Sequence, residues 1–322
     1  MKQITVTKKD EGQTIYKFVK KYLNDAPLSF IEKLFRIKDV KVDGKRVNKT
    51  FVLSDGELVQ IYVTDKQLED FVKAKDNLVS NVKIDIVYED DNILIVNKPS
   101  NLLVHGDENE KKFTLANQVL GYLANKGEYN PSDKTFIPGP AHRLDRNTSG
   151  LVIFGKNVKS LQALEDLFKD HENINKYYLA LVAGTPAKEG TINKPLLKDE
   201  KKKIVVVSSL DKGAKTAITK YKLVEKFNYC SLVEVELLTG RTHQIRVHMS
   251  SIDHPLLGDA KYGNFNLNKK FDNEFKYAHQ FLVAYKLHFG KLNGILEYLS
   301  DKTFTCSLPE DEKKIINKLR EK

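Results

Sequence analysis

Cysteine is scarce: Cys230 and Cys306 are the two in a chain of 322 residues. So few cannot build a disulfide framework or supply the paired CxxC sets of a structural zinc site, and they fit a reducing cytosol. No stretch approaches the roughly 18 apolar residues that cross a bilayer. The start, MKQITVTKKD, lacks the apolar core of a secretory signal. A soluble, cytoplasmic protein with no membrane partner is expected. Also missing are a GxxxxGKS/T phosphate loop, a GxGxxG turn after a strand, HExxH and GxSxG. Nucleotide hydrolysis, dinucleotide redox, zinc proteolysis and serine hydrolysis lose support, and neither a cofactor nor a metal is expected.

What the chain has is a core and an excess of positive charge. At 41% hydrophobic and 30% charged residues it is too apolar for wholesale disorder. At roughly 150 residues per domain, its length suggests two domains. Lysine and arginine number 53 against 43 acids, a net +10 that favours a polyanionic partner. Part of it is concentrated in residues 28–49, where Lys33, Arg36, Lys38, Lys41, Lys45, Arg46 and Lys49 face three acids. Leu28, Ile31, Leu34 and Phe35 fall on one helical face, with Ser29 and Glu32 spaced as a capping pair. Val40 and Val42 then alternate with charged residues, Asp43-Gly44 supplies a tight turn, and Val47 begins the return strand. Val59, Ile61 and Val63 mark a further strand. A basic helix feeding a basic hairpin suits a phosphate backbone, although an ordinary solvated face has the same composition.

Residues 65–81 are polar, lack apolar periodicity and read as a linker between a first domain at 1–64 and a second at 82–322. Beyond it the pattern changes to short apolar strands at Ile84 to Tyr88, Ile93 to Val96, Leu151 to Phe154, Tyr178 to Val182 and Leu232 to Leu238, with helices between them. The second domain is therefore expected to be α+β with a mixed sheet. Lys198 to Lys203 reads as an exposed loop or hairpin tip.

Two polar constellations could carry chemistry. In His142-Arg143-Leu144-Asp145-Arg146-Asn147-Thr148-Ser149-Gly150, just ahead of a buried strand, Asp145 lies between two arginines. Guanidinium charge close by would favour the ionised carboxylate, a competent nucleophile or base; a turn residue in a simple ion pair would look the same. In Gly240-Arg241-Thr242-His243-Gln244-Ile245-Arg246-Val247-His248-Met249, Thr242 could cap a helix whose Ile245, Met249 and Ile252 face the core, ending before Pro255. Arg246 would then lie near His243. His243 and His248, five apart, point in different directions and make a poor metal pair.

HRLDRNTSGLVIFGK (142–156), KYYLALVAG (176–184) and TGRTHQIRVHM (239–249), preceded by ILIVNKPSNLLVHG (93–106), resemble in order and spacing the signature stretches of the RluA-type pseudouridine synthases. Residues 1–64 resemble the S4 RNA-binding module. Together they are similar to the two-domain family members that modify large-subunit ribosomal RNA. The resemblance implies a cofactor-free RNA isomerase in which Asp145 is the catalytic aspartate, Tyr178 the stacking tyrosine and Arg246 the basic residue paired with the aspartate. It also implies that Arg143 occupies the space of an extruded nucleotide. Asn101 stands where a glycine is common, and asparagine tolerates the left-handed turn a glycine would make. A monomer acting on 23S ribosomal RNA is expected, with transfer RNA the alternative substrate.

Overall fold

The computed structural model describes residues 1–72, 78–79, 83–133 and 135–321. Residues 73–77 and 80–81 of the expected linker, and the expected domain start at 82, lie outside the described residues.

The N-terminal segment folds around its own core. A four-stranded antiparallel sheet runs in the order Lys2–Thr5, Leu58–Ile61, Val40–Val42, Lys45–Arg46. It packs against helices Ile15–Tyr22 and Leu28–Arg36 through Ile15, Phe18, Ile31, Leu34, Val40, Val42, Val59 and Ile61. The hairpin forms as expected: Asp43 and Gly44 both take positive φ, 47° and 74°, the two-residue turn that matches strand twist. Ser29 does not cap its helix, which starts at Leu28, two residues before a Ser29 cap would place it, after Pro27 and with no side-chain cap. A proline fixes φ at the helix entry and makes a later start unnecessary. Asp65–Phe71, within the expected linker, is a helix opened by a Thr64–Gln67 capping box. Its Phe71 packs against Phe30 with ring centroids 4.9 Å apart, so this stretch joins the N-terminal core.

The larger part is a ten-stranded mixed sheet. Its path runs Glu189–Asn193, Ile218–Lys226, Cys230–Leu237, Ile174–Ala183, Leu282–Phe289, Ser149–Gly155, Ile93–Lys98, Ile86–Glu89. Neighbours are antiparallel except Leu282–Phe289 and Ser149–Gly155, which are parallel. Ser149–Gly155 is buried along its whole length, and alternation splits it between two cores. Val152 and Phe154 face helices Leu115–Asn125 and Gln244–Ser250; Leu151 and Ile153 face helix Val158–Asp170. Lysines 201–203 form the tip of a hairpin between Leu196–Asp199 and Ile204–Val207. The N-terminal segment docks on the large sheet's flank: Val158 N donates to Lys9 O at 3.0 Å, and Lys159 pairs with Glu11 at 2.8 Å.

Candidate active site

The loop carrying Asp145 is clamped from several sides. Lys98, fully buried, donates to the carbonyls of Pro99, Leu102 and Arg146 at 2.9, 2.7 and 3.0 Å. Ser100 Oγ donates to Asn147 O at 3.1 Å, and Thr148 N closes a turn onto Asp145 O at 3.1 Å. Asn101 takes φ 61°, the left-handed turn expected of it. Gly150, at φ 115°, ends the loop; a Cβ there would sit 2.1 Å from Ala284 O on the parallel strand, so no other residue fits. Five residues from Asp145, the backbone is pinned by packing.

The partner of Asp145 comes from 101 residues away. Arg246, on helix Gln244–Ser250, donates from Nη1 to Asp145 Oδ2 at 3.1 Å. Its other edge is held by Asp259, Nε to Oδ2 at 2.7 Å and Nη2 to Oδ1 at 2.8 Å. Asp259 is fully buried, Arg246 10% exposed and Asp145 26% exposed, so the array runs from the core outward to the solvent-facing carboxylate. Burial pushes the Asp259 carboxyl up, but the guanidinium and the amides of Lys261 and Tyr262 outweigh it and hold it below the usual range. Arg143 and Arg146, the neighbours in sequence, are not the partners: Arg146 pairs with Asp107 at 3.5 Å and Arg143 is exposed on the cavity rim.

Thr242 does not cap the Arg246 helix. His243 precedes it in the left-handed region, φ 54°, which brings its Nε2 to 3.8 Å from Asp145 Oδ2 while Nδ1 meets Tyr262 Oη at 2.8 Å. Gln244 locks the approach: its Oε1 accepts from Arg241 N and Thr239 Oγ1, and its Nε2 donates to Ile218 O and Thr219 Oγ1. His248 is a core polar group between Thr219 Oγ1 and Lys194 O.

Asp145, Arg246 and Tyr178 open into one cavity of about 480 Å³, whose rim includes Arg143. Tyr178 is 7% exposed, and burial raises its hydroxyl pKa, with the Asp145 charge adding to the effect. Tyr177, next in the strand, faces the opposite side of the sheet; Lys286 Nζ lies 4.0 Å from its ring centre. The basic residues of the N-terminal segment lie elsewhere on the surface. Lys33, Arg36, Lys38, Lys45, Arg46 and Lys49 are exposed and Lys41 is half-buried. Lys41 and Arg46 stand opposite each other on one face of the hairpin, and Lys49 pairs loosely with Glu32 at 3.6 Å.

The family model of the RNA pseudouridylate synthases matches residues 92–251, a stretch that includes Asp145, Tyr178 and Arg246. An RNA pseudouridine synthase of Mycoplasma capricolum is 37% identical over 94% of this chain and 96% of its own length. The ribosomal large subunit pseudouridine synthase D of Buchnera aphidicola (subsp. Schizaphis graminum) is 32% identical over 95% and 93%. Among solved structures, human RNA pseudouridylate synthase domain containing 4 superposes with a TM-score of 0.59 at 26% identity, covering 73% of this chain and 93% of that one. The chain belongs to the RNA pseudouridine synthases, and within them to the RluA type. It is an enzyme that isomerises uridine to pseudouridine in RNA.

Proposed function

We propose that Asp145 is the catalytic group and that large-subunit 23S ribosomal RNA is the substrate. In the isomerisation the N1–C1′ bond breaks and C5–C1′ forms, the proton lost from C5 being balanced by one gained at N1. The base has to leave its stack for this. Asp145 is the nucleophile or base, Arg246 fixes its orientation, Tyr178 gives the base a ring to rest on, and Arg143 fills the space the nucleotide vacates. The observation that carries this reading is the Asp145–Arg246–Asp259 array, fixed from the core and open to the cavity that Tyr178 lines. Residues 1–64 are an S4-like module whose Lys33, Arg36, Lys38, Lys41, Lys45, Arg46 and Lys49 grip phosphates without reading sequence, 65–81 lead on from it, beginning with the helix Asp65–Phe71 that packs on its core, and 82–322 form the catalytic domain. The choice of ribosomal RNA rests on the Buchnera relative, which matches along nearly the whole chain. The enzyme is read as a cytoplasmic monomer. Among the described residues no helix is long and apolar enough to cross a membrane.

Carbodiimide mapping of ribosomal and transfer RNA from a strain lacking the gene, complemented with wild type or Asp145→Asn, tests both parts. One or more 23S uridines should be modified only in the wild-type complement. Identical maps in the two complements would exclude Asp145, and a difference confined to transfer RNA would exclude the ribosomal substrate.

A further inference from the structure

The cavity has a second arm whose charges have no part in the chemistry at Asp145. Lys176 and Tyr178 project from the same face of strand Ile174–Ala183, about 6.6 Å apart along it. Lys176 is 5% exposed. Its Nζ lies 3.0 Å from His171 Nδ1 and 5.5 Å from the centre of the Phe168 ring. Among the described residues no carboxylate oxygen comes within 4.0 Å of it, and none pairs with Arg241, which lines the same arm and donates from Nε to Thr216 O at 3.0 Å. A buried ammonium normally has an anionic partner, because desolvation without one is costly. Here its near neighbours are His171 and the Phe168 ring. Burial, then the charge of Lys176, and then that of Arg241 push His171 down to about 4 against a smaller opposing pull from Asp170, while burial lowers Lys176 to about 8. His142, stacked on Phe168 with centroids 4.2 Å apart, accepts from Ile153 N at 3.2 Å, which keeps it neutral.

Gly240 lies beside Lys176 and His171. Gly240 has no positive φ to explain it. A Cβ there would stand 3.4 Å from His171 Cε1 and 3.8 Å from Lys176 Nζ, narrowing the approach to both. Glu165 and Lys169 lie at the mouth of the arm, on the solvent side of helix Val158–Asp170.

We propose that Lys176, His171 and Arg241 form a binding site for one RNA phosphodiester, the one flanking the extruded uridine. The inference rests on the reading of Asp145 and Tyr178 as the base site. One strand pitch from Tyr178 is the order of distance that separates a base from a phosphate of its own nucleotide, so a base over Tyr178 brings a phosphate to Lys176. The anion supplies the paired countercharge that Lys176 and Arg241 lack among the described residues, and it holds the ribose so that C1′ stays close to Asp145 when the N1 bond is broken. Phosphate contacts of this kind fix position and carry no base identity.

The test uses the full-length enzyme and an RNA hairpin spanning the uridine that the strain mapping identifies, with single methylphosphonates placed in turn at each phosphate around it. Binding to wild type should weaken about tenfold at one flanking position, the scale of a single hydrogen bond to a charged group. In Lys176→Met that position should change binding less than twofold, and the logarithmic salt slope should fall by about 0.7. Arg241→Gln, on the exposed rim, gives a second cycle that remains informative if Lys176→Met does not fold. In wild type the His171 imidazole, followed by NMR, should titrate above its free value of about 4 once the hairpin is bound. Equal methylphosphonate effects in wild type and both variants, with an unmoved His171 titration, would overturn the site. Conversion of the unmodified hairpin by wild type and not by Asp145→Asn is measured alongside, so that a failure of the base-site reading is distinguished from a failure of the phosphate site.

Discussion

Replacing Asp259 by asparagine removes one charge from the only fully buried member of the Asp145–Arg246–Asp259 array. Asparagine has nearly the same shape, but it offers one acceptor oxygen where two accept from Arg246. The guanidinium, 10% exposed, is then left mostly uncompensated on its inner edge. Breaking a pair buried this deeply costs about 3–5 kcal/mol, read as a shift of the urea midpoint at unchanged slope. Arg246 also loses its anchor, so the Asp145 carboxylate is held less well. A displacement of that kind costs up to about 100-fold in rate, and it should appear in kcat more than in KM. The rate is measured as tritium released from RNA carrying uridine labelled at C5, in single turnover. A pH signature separates the charge from the shape. The Asp259 pKa is depressed in the folded protein, so its contribution is complete above pH about 4, where an unfolded aspartate titrates, and is lost as pH falls through the lower folded value. The variant should lack that acid-dependent portion. An Asp259→Asn protein with wild-type stability and wild-type tritium release would refute the claim that the array is anchored from the core.

Other positions give independent checks. Burial lowers the Lys98 pKa to about 7, opposed in part by Asp145. An unfolded lysine titrates near 10.4, so between these values the unfolded chain binds more protons and stability should rise with pH. Urea titrations from pH 7 to 9 should give a steeper rise for wild type than for Lys98→Met; parallel curves would contradict this. Gly150→Ala should lose at least about 3 kcal/mol or fail to fold, because its Cβ would overlap Ala284 O on the parallel strand; near-wild-type melting would show that the overlap can relax. Neutralising Lys41, Lys45 and Arg46 together should lower the logarithmic salt slope of RNA binding by about 0.7 for each phosphate the hairpin no longer holds, and an unchanged slope would move the RNA off the hairpin.

Much of this molecule is legible in the order of its amino acids, for reasons that differ by element. The centre of strand Ser149–Gly155 announces itself as the apolar run Leu151 to Phe154, and the hairpin by Asp43-Gly44, since both signals are local. The partners of Asp145 are not local. The sequence puts Arg143 and Arg146 beside it, yet in a turn adjacent side chains diverge, and the guanidinium that reaches it arrives from the far motif. Asp259 escapes notice because nothing periodic marks it; it follows Pro255 and Gly258 in an irregular segment that only the fold brings beneath Arg246. His243 rather than Thr242 precedes the helix because a left-handed residue there turns the imidazole toward Asp145, a strained geometry that capping preferences do not anticipate. Thr64 and Gln67, by contrast, are a readable capping box inside a segment whose polarity suggested a linker.

The central claim is that Asp145 performs the isomerisation. Single-turnover tritium release from RNA labelled at uridine C5, with wild type and Asp145→Asn at equal RNA occupancy, tests it most directly. Release by wild type and none by a folded Asp145→Asn that binds the RNA with unchanged affinity is the expected result. Release by Asp145→Asn at the wild-type rate would contradict it.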